Sequence, residues 1–213
     1  PGQRLSHAGW SARVSPCGWG GDLAGTEGNV LAGIIGAGLA LSELFSMRLG
    51  LSPESGRRPA EFSLWRPDLS PTDQTAIGPD LAYLPSEAWV LGLGHVGQGF
   101  LWALSMLPFE NPGAMALVLQ DFDRAVSANV GSQCLMSRGD AGKRKTRLCR
   151  EFLERRGFDP AIIDARFDER TRRHADQPAV AVCAFDGQGP RWILDEAGFD
   201  QVVVAGVGGR VSD

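Results

Sequence analysis

The chain has 213 residues, 43% of them apolar, and a formal net charge of −4. That length holds one sizeable core, or a core with an appendage, and the slight negative charge gives no general drive toward nucleic acid or an anionic membrane. The 28 glycines have no collagen period, and Cys17, Cys134, Cys149 and Cys183 form no CxxC pair. A disulfide framework and a structural zinc site are therefore not expected, and a reducing, cytoplasmic setting fits. His7, His95 and His174 share no metal-ligand spacing.

Residues 1–29 are rich in Gly, Ser and Trp and carry no period, so coil or a short packing arm is expected, with Trp10 and Trp19 covering apolar surface. Residues 30–49, VLAGIIGAGLALSELFSMRL, form an apolar run that Asn29 can cap. A membrane span needs about twenty apolar residues. Ser42, Glu43, Ser46 and Arg48 mark the last turns of this run, so a buried helix is expected and no membrane segment. Gly36 and Gly38 imitate a second glycine loop, but no strand of useful length precedes them. Residues 50–87 carry Pro53, Pro59, Pro67, Pro71, Pro79 and Pro85 and form a connector, with an edge strand over Glu61–Trp65.

From residue 88 the pattern changes. Trp89-Val90-Leu91 is a short apolar strand that opens into Gly92-Leu93-Gly94-His95-Val96-Gly97. Strand, glycine turn and helix is the layout of a nucleotide phosphate site: glycines turn tightly, and the amides of the following helix face an anion. The helix offers Phe100, Leu101, Leu104 and Leu107 to a sheet. A second strand, Met115–Leu119, leads to Asp121, placed to hold a ribose hydroxyl pair. Lys143–Arg156 is a basic amphipathic helix with Leu148/Phe152 and Cys149/Leu153 pairs. Asp159–Phe167 holds a strand, Arg170–Asp176 is polar, and Ala179–Phe185 is a core strand ending at Asp186. A short helix over Pro190–Ala197, packing Trp192, Ile193 and Ala197, precedes a strand at Gln201–Ala205. The alternation implies an α/β fold: a Rossmann-like, mostly parallel sheet covered by helices on both faces. The expected domains are 1–87, an arm, helix and connector packed on the core, and 88–213, the nucleotide-binding domain, truncated at its carboxyl end.

Asp121, Asn129, Lys145 and Asp186 follow strand ends or begin a helix. A carboxylate for ribose, a cation for phosphates and a carboxylate for Mg²⁺ make a coherent triphosphate site. A hydride-transfer enzyme would need no magnesium carboxylate, and His95, inside the glycine turn, is a surface or packing residue rather than a catalyst.

The sequence Asp121-Phe122-Asp123-Arg124-Ala125-Val126-Ser127-Ala128-Asn129-Val130-Gly131-Ser132-Gln133, then Gly142-Lys143-Arg144-Lys145, then Asp186-Gly187-Gln188-Gly189-Pro190-Arg191, follows the glycine turn. In order and spacing it resembles the ubiquitin-activating (E1-like) superfamily, which includes the thiamin and molybdopterin adenylyltransferases. Their pattern is a glycine loop, DxDxVxxSNLxRQ, GxxK, and a strand ending in DNxxxR. The resemblance covers roughly residues 88–210. It implies an E1-like adenylation domain that uses ATP and Mg²⁺ to join AMP to the C-terminal glycine of a ubiquitin-like or sulfur-carrier protein. It further implies Gly92, Gly94 and Gly97 beneath the phosphates, Asp121 on ribose, Asn129 and Lys145 on phosphates, Asp186 on the metal, and Lys145 and Asp186 as catalytic residues. A homodimer is also implied, with residues 30–49 as core or interface.

The chain departs from the family pattern at two positions. The arginine before glutamine is Ser132, and the asparagine after the second key aspartate is Gly187. Arg124, Arg138 or Arg144 could restore the missing charge, while the family's amino-terminal arginine has no clear match, although Arg4 and Arg13 are present. No cysteine follows Cys183 to carry a thioester, and Cys134 is expected as a small core residue. Two alternatives stay open: a degenerate E1-like domain serving as a partner-binding or regulatory module, and an NAD-dependent oxidoreductase.

Overall fold

The computed structural model describes residues 2–24, 28–184 and 193–205. The chain divides into two units, Pro1–Tyr83 and Leu84–Asp213.

The first unit is built on a three-stranded antiparallel sheet in the order β1-β2-β3, with β1 at Gln3–Ala8, β2 at Ser11–Pro16 and β3 at Ala60–Ser63. Residues 1–29 are thus not the coil or arm expected but largely a hairpin. Its turn is Gly9-Trp10, with Gly9 at φ +52°, where a Cβ would lie 2.2 Å from the Ile77 carbonyl oxygen. Both faces of β2 are covered, Ala12 and Val14 being buried on one and Ser11 and Ser15 on the other, so burial does not alternate along the strand. The hydroxyls of Ser11 and Ser63 both donate to the Ala76 carbonyl, at 2.8 and 2.7 Å, which satisfies two buried polar groups in one step.

Helix α1 runs over Val30–Leu49 and packs on all three strands. The Asn29 side chain accepts from the Ala32 amide at 3.0 Å, and Gly50, at φ 63°, ends the helix in a left-handed turn. The expectation of a buried helix is corrected. Only Ala32 and Gly36 are buried, while Leu41, Leu44, Phe45 and Leu49 are exposed. Close approach selects small residues at the contact: a Cβ on Gly36 would already lie 3.2 Å from the Ala12 Cβ. The helix is also long and apolar enough to cross a membrane by length and composition.

The second unit is a five-stranded, all-parallel sheet in the order β6-β5-β4-β7-β8. The strands are β4 (Glu87–Leu91), β5 (Ala116–Gln120), β6 (Ala161–Ile163), β7 (Val180–Cys183) and β8 (Gln201–Val204). Helices α2 (His95–Leu104) and α3 (Lys145–Glu154) follow β4 and β5. On their face Val90, Leu101, Leu119, Cys149 and Leu153 are fully buried together. Each such large apolar side chain contributes about 1.5–3 kcal/mol relative to exposure. The other face buries Trp89, Leu91, Val118 and Phe167 under Ile193, Leu194 and Ala197. Of the short helix expected over 190–197, residues 190–192 lie outside the described residues, Ile193 is in a 3-10 turn and 194–198 are turns, with Ile193 and Ala197 buried as foreseen. This is the Rossmann-like E1 adenylation fold. Strand order reverses between β4 and β7, and in open parallel sheets ligands bind at the carboxyl ends of the strands flanking such a switch.

Candidate nucleotide site

The glycine turn leaves the carboxyl end of β4, one side of that switch. Gly92 sits at φ 89° and its amide donates to the Gln120 carbonyl at 2.9 Å, tying the turn to β5. Gly94 caps α2 with an extended backbone and no side-chain acceptor, so the first amides of α2 have no side-chain cap. Gly97 brings helix and turn together: a Cβ there would lie 2.0 Å from the Gly92 carbonyl oxygen. His95 is exposed, as expected of a surface residue.

Asp121 leaves the end of β5 and is 8% exposed. One carboxylate oxygen accepts from the Leu93 amide at 2.6 Å, the other from the Asp123 amide at 2.7 Å. The aspartate expected on ribose is therefore what clasps the glycine turn to the β5 loop. That loop is stitched to the start of α3: the Ala125 amide donates to the Lys143 carbonyl at 2.8 Å, Gly142 to Ala125 at 2.8 Å, and Lys145 to Asp123 at 3.2 Å.

These bonds place Lys145 at the first position of α3, 7% exposed, with Nζ 2.9 Å from Asp123 Oδ2. A cation there opposes the helix dipole, at a cost of about 0.3–1 kcal/mol. Asp123, whose side chain is 46% exposed, offsets that cost. Beside it, the Thr146 hydroxyl, fully buried, donates to Asp164.

Asn129 is half-buried, and its side-chain oxygen accepts from the Val126 amide at 3.1 Å. It is linked to the glycine turn indirectly. The Gln133 amide donates to the Asn129 carbonyl at 3.0 Å, and the Gln133 side chain accepts from Gln98 Nε2 at 2.8 Å. The same Gln98 nitrogen donates to the Leu93 carbonyl at 3.0 Å, and its oxygen accepts from the Leu135 amide at 3.0 Å. Gln98 is wholly buried. Losing it would leave several buried partners unpaired, at about 1–3 kcal/mol each. Sequence reading missed Gln98. Its only signal was a polar residue on the inward side of an apolar helix.

Ser132 is exposed, and its hydroxyl donates to the Asn129 carbonyl at 3.2 Å. Of the arginines considered as replacements, Arg144 donates to the Phe122 carbonyl and Arg124 to the Gly142 carbonyl, so both brace backbone; Arg138 is exposed. Arg166, which sequence reading also missed, lies over the Phe122 ring at 4.1 Å. Cys134 is exposed, which corrects the small-core-residue expectation; partial burial still pushes its thiol up from the ordinary value. Asp186, Gly187, Arg191 and the glycines at 206–209 lie outside the described residues. Among the described residues no group of three or more His, Cys, Asp or Glu could hold a metal ion.

Residues 84–213 match the family model described as the BilD C-terminal domain, and residues 1–64 match the BilD N-terminal domain. The chain belongs to the BilD family. A member from Collimonas sp. (strain OK412), described as bacterial E1-like protein BilD, is 40% identical over 206 residues, covering 97% of this chain and 45% of that protein. The chain thus spans less than half the length of this BilD relative. Among solved structures, E. coli tRNA N6-threonylcarbamoyladenosine dehydratase TcdA in complex with ATP aligns with a TM-score of 0.50 at 18% identity, over 60% of this chain and 54% of that one. E. coli MccB aligns with a TM-score of 0.48 at 21% identity, over 57% of this chain and 34% of that one. The E1-like assignment made from the DxDxV and GxxK motifs holds.

Proposed function

We propose that this chain is the nucleotide-binding part of a bacterial E1-like enzyme that adenylates the C-terminal glycine of a ubiquitin-like or sulfur-carrier protein. The observation that carries this is the clasp of Asp121 on the Leu93 amide together with Lys145 held at the start of α3 by Asp123. The E1-like name of the BilD relative and the ATP in TcdA, a protein of the same fold, support it.

In this reading the glycine turn and the α2 amides lie under the phosphates, Asp121 meets the ribose, and Asn129 and Lys145 meet phosphate oxygens. A carboxylate oxygen of the partner attacks the α-phosphorus. A new phosphorus–oxygen bond forms, the bond to the bridging oxygen breaks, and pyrophosphate leaves. Two anions must meet for this, so fixed cations and backbone donors matter most where charge develops. Lys145 is the residue assigned to that task. Mg²⁺, assigned to Asp186, would draw charge from the phosphates.

Calorimetry with ATP and Mg²⁺, with NAD as the control, tests the nucleotide. ATP binding without NAD binding is expected; tight NAD binding without ATP binding would turn the assignment to an oxidoreductase. Ser132 favours a second reading, a degenerate domain that binds a partner without chemistry. Pyrophosphate exchange absent from the natural chain and restored by Ser132→Arg would establish that second reading.

A further inference from the structure

On the face of the parallel sheet opposite α2 and α3 there is a cavity of about 300 Å³ that the nucleotide reading does not use. Its floor is Trp89 and Gln120, and its rim carries Arg166, Arg170, Arg172 and His174. Gln120 is one residue before Asp121, but the two side chains serve different faces. Asp121 turns to the Leu93 amide of the glycine turn, whereas Gln120 lies beside Trp89 and accepts from its indole N–H at 3.1 Å.

Gln120 is only 2% exposed, and its carboxamide nitrogen has no partner among the described residues. That nitrogen is not among the sealed, unpaired polar atoms, so it stays reachable, and Gln120 lines the cavity. The rim supplies the opposite of a neutral setting. Arg166 and Arg170 have no carboxylate within ion-pairing distance among the described residues. Arg172 reaches Glu196 at 3.4 Å. Asp168 also lines the cavity, but its carboxylate accepts from the Arg170 amide at 2.9 Å and so serves its own loop.

From these residues we infer that the Trp89–Gln120 cavity is a binding site for a small oxyanion, phosphoryl or carboxylate, separate from the nucleotide site. Guanidinium groups match both oxyanions in planar, charge-assisted pairs, and the Gln120 carboxamide adds a neutral donor on the floor. The volume lies at the low end of small-molecule sites, about 300–1,000 Å³. That suits an oxyanion with a few attached atoms better than a nucleoside triphosphate.

Calorimetry on the full chain, using pyrophosphate and glycylglycine as separate probes, tests the site and distinguishes its two sources. Each probe is titrated into the natural chain, Lys145→Ala, Gln120→Leu, and the double variant Arg170→Ala/Arg172→Ala. The rim arginines are exposed, so the double variant leaves the fold intact, and unchanged far-UV circular dichroism checks this. At least one probe should bind with an affinity that survives Lys145→Ala and falls about tenfold or more in the double variant and in Gln120→Leu. Pyrophosphate alone would make the ligand a phosphate, and glycylglycine alone a carboxylate. Failure of both probes to bind, or binding lost with Lys145→Ala and kept in the double variant, would overturn the site. Loss of ATP binding elsewhere leaves this outcome unaffected, because the proposal does not depend on the nucleotide.

Discussion

Gly97→Ala puts the close approach of turn and helix to the test. An added Cβ would sit 2.0 Å from the Gly92 carbonyl oxygen and 3.0 Å from its carbon. An ordinary carbon–oxygen contact is about 3.3 Å or more, so turn and helix must part by roughly 1 Å. Neither moves freely. The Gly92 amide is bonded to the Gln120 carbonyl at 2.9 Å, and Gln98 in α2 is bonded to the Leu93 carbonyl at 3.0 Å. Overpacking costs about 1–3 kcal/mol, and alanine returns up to about 1 kcal/mol of helix propensity, which leaves a net loss of about 1–2 kcal/mol. Gly99→Ala is the internal control. It lies in the same helix, and a Cβ there meets nothing within 4 Å, so the propensity gain should stand alone. Urea unfolding reads both: the midpoint should fall for Gly97→Ala and hold or rise for Gly99→Ala, with the slope unchanged. ATP binding should weaken in the first variant only. Equal midpoints for the two variants would refute the argument, because the contact would then carry no strain.

Lys145→Ala should slow partner-dependent pyrophosphate exchange on the order of 10²-fold and weaken ATP binding much less, since a fixed cation is worth most where charge develops; exchange unchanged in the variant would remove Lys145 from the catalytic assignment. Asp140 accepts from Ser137 and Lys143, and these bonds hold its carboxyl at about 2 against an ordinary 3.8. Its folded value is depressed, so the stabilisation it gives the turn before α3 is full above about 3.8 and is lost as pH falls through about 2. Asp140→Asn should flatten the acid limb of the unfolding curve in that window, and NMR titration of the natural chain should place the carboxyl midpoint near about 2.

The second unit was legible because its signals are local. Each strand is a short apolar run, Gly92–Gly97 follows one directly, and the α3 pairs Leu148/Phe152 and Cys149/Leu153 lie one turn apart and are buried. The amino-terminal hairpin was not legible, because Ser11 and Ser15 imitate loop composition although they are buried, Ser11 with its hydroxyl on the distant Ala76 carbonyl. For α1 the sequence specified a helix and its cap but misled on burial. Apolar content counts side chains, whereas a close contact is made by the residues that lack them, here Ala32 and Gly36. Gln98 and Arg166 escaped for a related reason: their partners, Gln133 and Phe122, lie far along the chain.

The two aspartates of the DxD motif divide the work of the site, and this explains why the motif reads so clearly. Asp121 has both oxygens engaged by backbone amides, so it fixes the position of the turn relative to β5 whether or not a ligand is present. Asp123 has no such duty in its side chain; it is half exposed and holds Lys145. The ion pair gives the Lys145 Nζ a fixed partner at 2.9 Å, and on the proposed function an arriving phosphate competes with Asp123 for it. On the proposed function the pair is therefore a holding contact between Asp123, one residue removed from Asp121, and Lys145 at the start of α3. That is a local requirement, and it is why DxD and GxxK are found together in this sequence.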